Sequence, residues 1–85
     1  MNIDKKVEKI LSKPTEMRFD DIRLIFEYFG FNLEKFKGSH AYFFNETTRK
    51  FFFVPTINGR MVKNWYLNEI CKFLELKDWY RNEKS

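Results

Sequence analysis

The sequence predicts a two-layer α+β domain. A three-stranded antiparallel sheet is covered on one side by two helices, in the order αβββα, with one more helix ahead of them. Three observations predict this. Ile22, Ile25, Phe26 and Phe29 recur at helical spacing and stop at Gly30. Three short, phenylalanine-rich runs follow between residues 31 and 54, separated by Gly38-Ser39 and by Glu46-Thr47-Thr48-Arg49. Leu67, Ile70, Cys71 and Leu74 then return to helical spacing. An amphipathic helix and a half-buried sheet must each cover an apolar face, and packing helices on one face of a sheet satisfies both.

The first element is a short helix within residues 1–13. Ile3, Val7, Ile10 and Leu11 form one stripe, with Lys5, Lys6 and Lys9 on the wet side. Lys13-Pro14 ends it, because the residue before a proline avoids the helical region. Thr15 to Phe19 reads as a connector. Asp20 is expected to cap a helix over 20–29 with its side-chain oxygen, and Asp21 suits the positive first turn. Gly30 tolerates the positive φ of a C-terminal cap.

Phe31 to Lys37 is the first strand. Strict alternation puts Phe31, Leu33, Lys35 and Lys37 on one face and Asn32, Glu34 and Phe36 on the other. Gly38-Ser39 is a turn. Ser39 to Asn45 is the second strand, with His40, Tyr42 and Phe44 opposite to Ala41 and Phe43. Residues 46–49 form a hairpin loop and Lys50 to Val54 the third strand, which Pro55 closes. Thr56 to Val62 reads as a loop with a strong turn signal at Asn58-Gly59, where a small extra hairpin is the lesser alternative. Asn64 is expected to cap the last helix, with Leu67, Ile70, Cys71 and Leu74 facing the core and Tyr66 and Phe73 on its flanks. Residues 77–85 read as a polar tail in which Trp79 and Tyr80 either staple the tail to the body or form an exposed patch. Residues 20–76 are the core of a single domain spanning 1–85.

The totals narrow the function. An 85-residue chain has little interior to work with. Its eleven phenylalanines, four tyrosines and two tryptophans supply large buried areas at low entropic cost, and most strand aromatics are expected in the core. No apolar run approaches the roughly 20 residues that span a bilayer, and no signal peptide is visible. A cytoplasmic location and no membrane partner are therefore expected. A single cysteine, Cys71, cannot form an internal disulfide and lies on an apolar helical stripe. The net charge of +4 permits RNA as a partner, although it equally serves solubility.

Several chemistries are excluded. No Cys/His cluster has zinc-ligand spacing, so no metal or cofactor is expected. There is no phosphate-binding glycine loop. A Ser-His-Asp hydrolase is nominally open to Ser39 and His40, but adjacent residues on a strand point to opposite faces and do not easily form a nucleophile–base pair. RNA cleavage remains feasible, because RNA carries its own nucleophile in the 2′-hydroxyl. It requires a base for that proton, cations for the charged phosphorane and a proton for the leaving 5′-oxygen. His40 is the only histidine, and histidine is the side chain suited to acid–base work near neutrality. One histidine cannot be base and acid in one step, so water, Tyr42 or a lysine must complete the pair. Lys35, Lys37, Ser39 and Tyr42 are the candidates for contacting RNA. Taken alone, however, a histidine opening a strand is ordinarily a half-exposed residue and strand lysines are ordinarily solvated charges.

Gly30-Phe31 ending a helix, a run with two cations, and Gly38-Ser39-His40 resemble the HicA family of bacterial toxins. Val54-Pro55 is similar to the end of that family's third strand, and Leu67, Ile70, Cys71 and Leu74 to the apolar positions of its last helix. The resemblance covers roughly Asp20 to Leu76. It implies a double-stranded-RNA-binding-domain-like fold, metal-independent cleavage of messenger RNA, and a HicB-type antitoxin as partner. It also implies that His40 is the catalytic residue and that Lys35 and Lys37 occupy commonly basic positions. Two departures stand out. Thr56 and Ile57 follow Val54-Pro55 where many members carry a second histidine. Asn64, Trp65 and Tyr66 follow Lys63 where many read Lys-x-Gly-Thr. The alternatives are a non-catalytic RNA-binding module of the same fold and a protein-interaction domain that has lost RNA function.

Overall fold

The computed structural model describes residues 2–84. Met1 and Ser85, the outer ends of the predicted first helix and tail, lie outside the described residues. The element order is α1 (Ile3–Leu11), β1 (Glu16–Arg18), α2 (Phe19–Tyr28), β2 (Asn32–Lys37), β3 (His40–Phe44), β4 (Phe51–Pro55), β5 (Met61–Lys63), α3 (Asn64–Phe73) and α4 (Leu76–Lys84). The run α2-β2-β3-β4-α3 is the predicted αβββα core, in keeping with a double-stranded-RNA-binding-domain-like α+β fold. The main sheet has the antiparallel order β2-β3-β4. No helix among the described residues is long and apolar enough to cross a membrane.

Phenylalanine joins the two layers. Phe26 of α2 stacks on Phe43 of β3 with centroids 4.3 Å apart and planes at 9°. Phe26 also meets Phe31 edge-on at 5.6 Å and Phe52 at 5.9 Å. Phe73 of α3 completes the layer against Phe31 at 5.5 Å and Phe52 at 4.8 Å. Phe26 and Phe43 are fully buried, as are Ile22, Ile25, Leu67 and Ile70.

Strict alternation fails in β2. The register pairs Leu33 with Phe43 but Lys35 with Tyr42, which leaves Glu34 as an extra residue in a β-bulge. Opposed residues share a face, so Leu33 and Phe36 both lie on the helix side, with Phe43 and Ala41. Lys35 and Lys37 are on the other face, with Tyr42 and His40. The expected grouping of Leu33 with the two lysines is therefore corrected. The reason is parity: two apolar residues three apart cannot both face the helix side on a regular strand, and one bulge lets the half-buried Leu33 and the more exposed Phe36 do so. On β3 the alternation holds, with Ala41 and Phe43 buried.

Four other expectations are corrected. Thr15 to Phe19 is not only a connector, since Glu16–Arg18 pairs with Met61–Lys63 as a two-stranded ribbon. Residues 56–62 are correspondingly more than a loop. Ile57 bridges Met61, and Asn58 and Gly59 take φ of 54° and 72°, so the lesser alternative of a small hairpin turn is the one that forms. Asp20 and Asn64 are not caps. The capping positions are Arg18 and Lys63, neither with a side-chain cap bond, and Asp20 lies inside the first turn of α2. The ribbon replaces the missing caps: Phe19 N–H donates to Arg60 O at 2.7 Å, and Asn64 N–H to Thr15 O at 3.0 Å. Finally, residues 76–84 form a helix. Leu76 is fully buried, Trp79 packs edge-on against Phe29 at 5.4 Å, and the Tyr80 hydroxyl donates to Glu8 at 2.6 Å. Trp79 and Tyr80 are thus the staple, and α1 and α4 pack on each other outside the αβββα core.

Asn45 is the one buried polar side chain among the described residues. Its Oδ1 accepts from the N–H groups of Thr47 and Thr48 at 2.9 and 3.1 Å, and its Nδ2 donates to Phe29 O at 3.4 Å. One side chain therefore shapes the β3–β4 loop and satisfies a carbonyl at the end of α2. Gly30, at φ 91°, leaves the room: a Cβ there would come within 3.0 Å of Asn45 Nδ2. Asn45→Ala is expected to cost about 1–3 kcal/mol, because three part-buried backbone groups lose their side-chain partner. Urea unfolding of the two proteins checks this, and a loss below about 0.5 kcal/mol, the scale of an ordinary surface substitution, would mean that the loop closes without it.

Candidate functional site

The sheet face turned away from the helices is open. Register divides it into three cross-strand rows. The first is Lys37, His40 and Pro55; the second is Lys35, Tyr42 and Phe53; the third is Asn32, Phe44 and Phe51. No position of this grid is acidic. Four of the five sequence-predicted site residues lie near one another here: Lys35, Lys37, His40 and Tyr42. His40 is exposed and directly opposite Lys37, and such cross-strand pairs have Cα atoms roughly 4.5–5.5 Å apart. Lys35 Nζ stands 5.7 Å over the Tyr42 ring.

Ser39 is not on this face. It sits in the β2–β3 turn and lines a shallow hollow with Phe36, Gly38, Asn58 and Gly59. Its carbonyl has a structural task. The Thr56 hydroxyl donates to Ser39 O at 2.6 Å, and the Thr56 N–H donates to the same oxygen at 3.0 Å. The Thr56 hydroxyl in turn accepts from Gly59 N–H at 2.9 Å. Thr56 therefore ties the turn that carries His40 to the Asn58-Gly59 turn. The sequence marks Thr56 only as the residue standing where a second histidine is common. A side chain that bonds two loops 17 residues and three residues away carries no local pattern to reveal it.

The strand aromatics are the other surprise. Most were expected in the core, but Tyr42, Phe44, Phe51 and Phe53 lie on the open face, with Phe51 55% and Phe53 40% exposed. The signal was present in the sequence: three consecutive phenylalanines, 51–53, cannot all be buried on one face of a strand.

Other reactive candidates fall away. Burial pushes the Cys71 thiol up to about 11, with Lys13 only partly opposing it, so the nucleophilic thiolate is suppressed. Cys71 lies in a groove beside Trp65, Leu11 and Lys72, on helices away from the open sheet face. Among the described residues, no three His, Cys, Asp or Glu side chains gather as a metal site.

Thr56→Val removes the hydroxyl and nearly preserves shape. It is expected to destabilise the protein by about 1 kcal/mol and to speed amide hydrogen exchange at Gly59. Unchanged protection at that amide would show that the clamp does not restrain the turn.

Comparison with known proteins agrees with the αβββα core. The family model described as "HicA toxin of bacterial toxin-antitoxin" matches residues 19–77, more than half of the chain. The match begins at the first residue of α2 and runs just into α4, so it holds the αβββα core and leaves α1 outside. No curated protein and no solved structure matches the chain significantly. With the predicted fold present and the match covering that core, the chain belongs to the HicA family of toxins of bacterial toxin–antitoxin systems.

Proposed function

We propose that this toxin is a metal-independent ribonuclease that cleaves messenger RNA in the cytoplasm with His40 as its central acid–base group. The observation that carries the reading is the first row of the open face. An exposed imidazole stands opposite a lysine, on a surface whose grid positions hold no acid. His40 withdraws the proton of the RNA 2′-hydroxyl. The 2′-oxygen attacks the adjacent phosphorus, the bond to the 5′-oxygen breaks, and a 2′,3′-cyclic phosphate and a 5′-hydroxyl result. Lys37 and Lys35 hold the phosphate and offset the charge gathering on its oxygens. Tyr42 and Lys37 are the side chains placed nearest in register to return a proton to the leaving oxygen. Ser39 lies off this face and contributes through its carbonyl, by which Thr56 holds the turn that precedes His40.

The family's toxin–antitoxin character supports a HicB-type antitoxin as the controlling partner. An antitoxin with acidic groups seated over Lys35, Lys37 and His40 would block substrate and associate quickly by complementary charge. Trp65, 64% exposed at the start of α3, is available as an apolar anchor, whereas Trp79 is engaged by Tyr28 and Phe29. If the His40 ring resonances titrate identically with and without the antitoxin, inhibition works elsewhere.

His40→Ala is expected to abolish cleavage, and with it growth arrest on induced expression, while circular dichroism stays unchanged. Cleavage assays in chelator check both claims: an active variant, or activity that needs an added divalent metal, defeats the mechanism. Lys35→Ala with Lys37→Ala is expected to weaken RNA binding and to flatten its dependence on log salt by roughly 0.7–0.9 for each phosphate no longer neutralised. An unchanged slope would make these lysines solubility charges. Salt-dependent binding by a wild-type chain that never cleaves would select the RNA-binding module instead.

A further inference from the structure

The second and third rows of the open face hold a cluster of rings of which the chemistry at His40 draws on Tyr42 alone. Tyr42 lies 4.8 Å from Phe53, 5.9 Å from Phe51 and 6.3 Å from Phe44. Phe51 and Phe53 meet edge-on at 6.3 Å. Large apolar side chains grouped on a sheet's solvent face are not explained by folding, since they cover nothing within the chain. Cations border them. Lys35 Nζ stands over Tyr42, and the Arg49 guanidinium is 4.9 Å from the Phe44 ring centre.

We propose that Tyr42, Phe44, Phe51 and Phe53 form a base-stacking platform that binds unpaired nucleotides next to the phosphate held at His40. This rests on the ribonuclease reading for what happens at His40, but the platform itself concerns binding. Rings offer flat faces to bases of any sequence, and Lys35, Lys37 and Arg49 offer charge to the backbone between them. A second copy of the chain fits the face poorly. Two copies meeting here about a twofold axis would bring Lys35, Lys37 and Arg49 of each against the same cations of the other. Adjacent rows are two residues, or about 6–7 Å, apart along the strands, so the platform starts one row from His40. A stacked base would thus lie one or two nucleotides from the scissile bond. A paired duplex keeps its bases stacked on each other and cannot lend them to the rings. The platform therefore predicts preference for single strands in a fold otherwise associated with duplex binding.

The test uses a labelled single-stranded 2′-O-methyl RNA 12-mer, which lacks the nucleophile and stays intact whether or not His40 is catalytic. Its duplex with a complementary strand is the control. Phe51→Ala with Phe53→Ala is expected to weaken single-strand binding at least roughly tenfold and to leave the salt slope and the duplex affinity nearly unchanged. Phe51→Tyr with Phe53→Tyr keeps the stacking faces and is expected to retain binding, which separates a loss of stacking from a loss of folding. Phe51→Leu with Phe53→Leu keeps apolar area without those faces and is expected to abolish the single-strand preference. Equal affinity of the wild-type chain for strand and duplex, or full binding by the leucine variant, overturns the platform. So does a wild-type dimer in sedimentation that the alanine variant dissolves, because the face then belongs to a second copy. If the platform variants lose binding and the wild-type chain cuts no unmodified RNA, the platform stands and the ribonuclease reading falls. If the wild-type chain cuts RNA and the variants bind normally, the reverse holds.

Discussion

The stack of Phe26 on Phe43 is the contact on which the rest of the structure depends. It joins the last turn of α2 to the middle strand of the sheet, and both rings are fully buried. Removing a buried phenylalanine typically costs about 3–5 kcal/mol, a large share of the stability of any small domain. Its second consequence is directional. With Phe43 pinned against the helix, neighbouring positions on β3 must point the other way, because a strand alternates and a slip of one residue would invert every side chain. His40, Tyr42 and Phe44 are exposed to the open face because Phe43 is not.

The same constraint reaches β2 through the bulge. Leu33 and Phe36 are both drawn to the helix side, Leu33 opposite Phe43 and Phe36 against Phe19 at 5.4 Å. Their spacing of three has the wrong parity for a regular strand. Letting Glu34 drop out of register resolves the conflict and turns Lys35 and Lys37 towards His40. The cationic side of the candidate site is thus a product of apolar contacts on the opposite, helix-facing side. Charge alone has no means of choosing that face, since a solvated lysine is nearly indifferent to which side of a sheet it occupies.

The elements outside the αβββα core act on helix geometry. The β1–β5 ribbon brings the starts of α2 and α3 together and supplies backbone partners where neither helix has a side-chain cap. α1 and α4 close over the far side of those helices. Lys6 pairs with Asp21 at 2.7 Å, and Lys84 with Asp4 at 2.9 Å. Partly exposed pairs of this kind contribute little to stability, and the buried Val7, Ile10 and Leu76 contribute more. The open sheet face is left uncovered by any of them.

The sequence by itself determined the αβββα order, the helix ending at Gly30, the turn at Gly38-Ser39 and the common face of His40, Tyr42 and Phe44. Each follows from periodicity or turn chemistry within a few residues. It also carried the Gly-Ser-His and Val-Pro pattern by which the family was legible. Only the tertiary structure decided the face of Lys35 and Lys37, the clamp of Thr56 on Ser39, the ribbon between residues 16–18 and 61–63, and the helix made by residues 76–84. The reason is common to all four. Leu76, Trp79 and Tyr80 have helical spacing but too little apolar area to hold a helix without the surface of α1 and α2. Met17 and Val62 make strands only because each finds the other 45 positions away. Local patterns state what a segment can form, and the partner that removes its apolar or hydrogen-bonding groups from water decides what it does form.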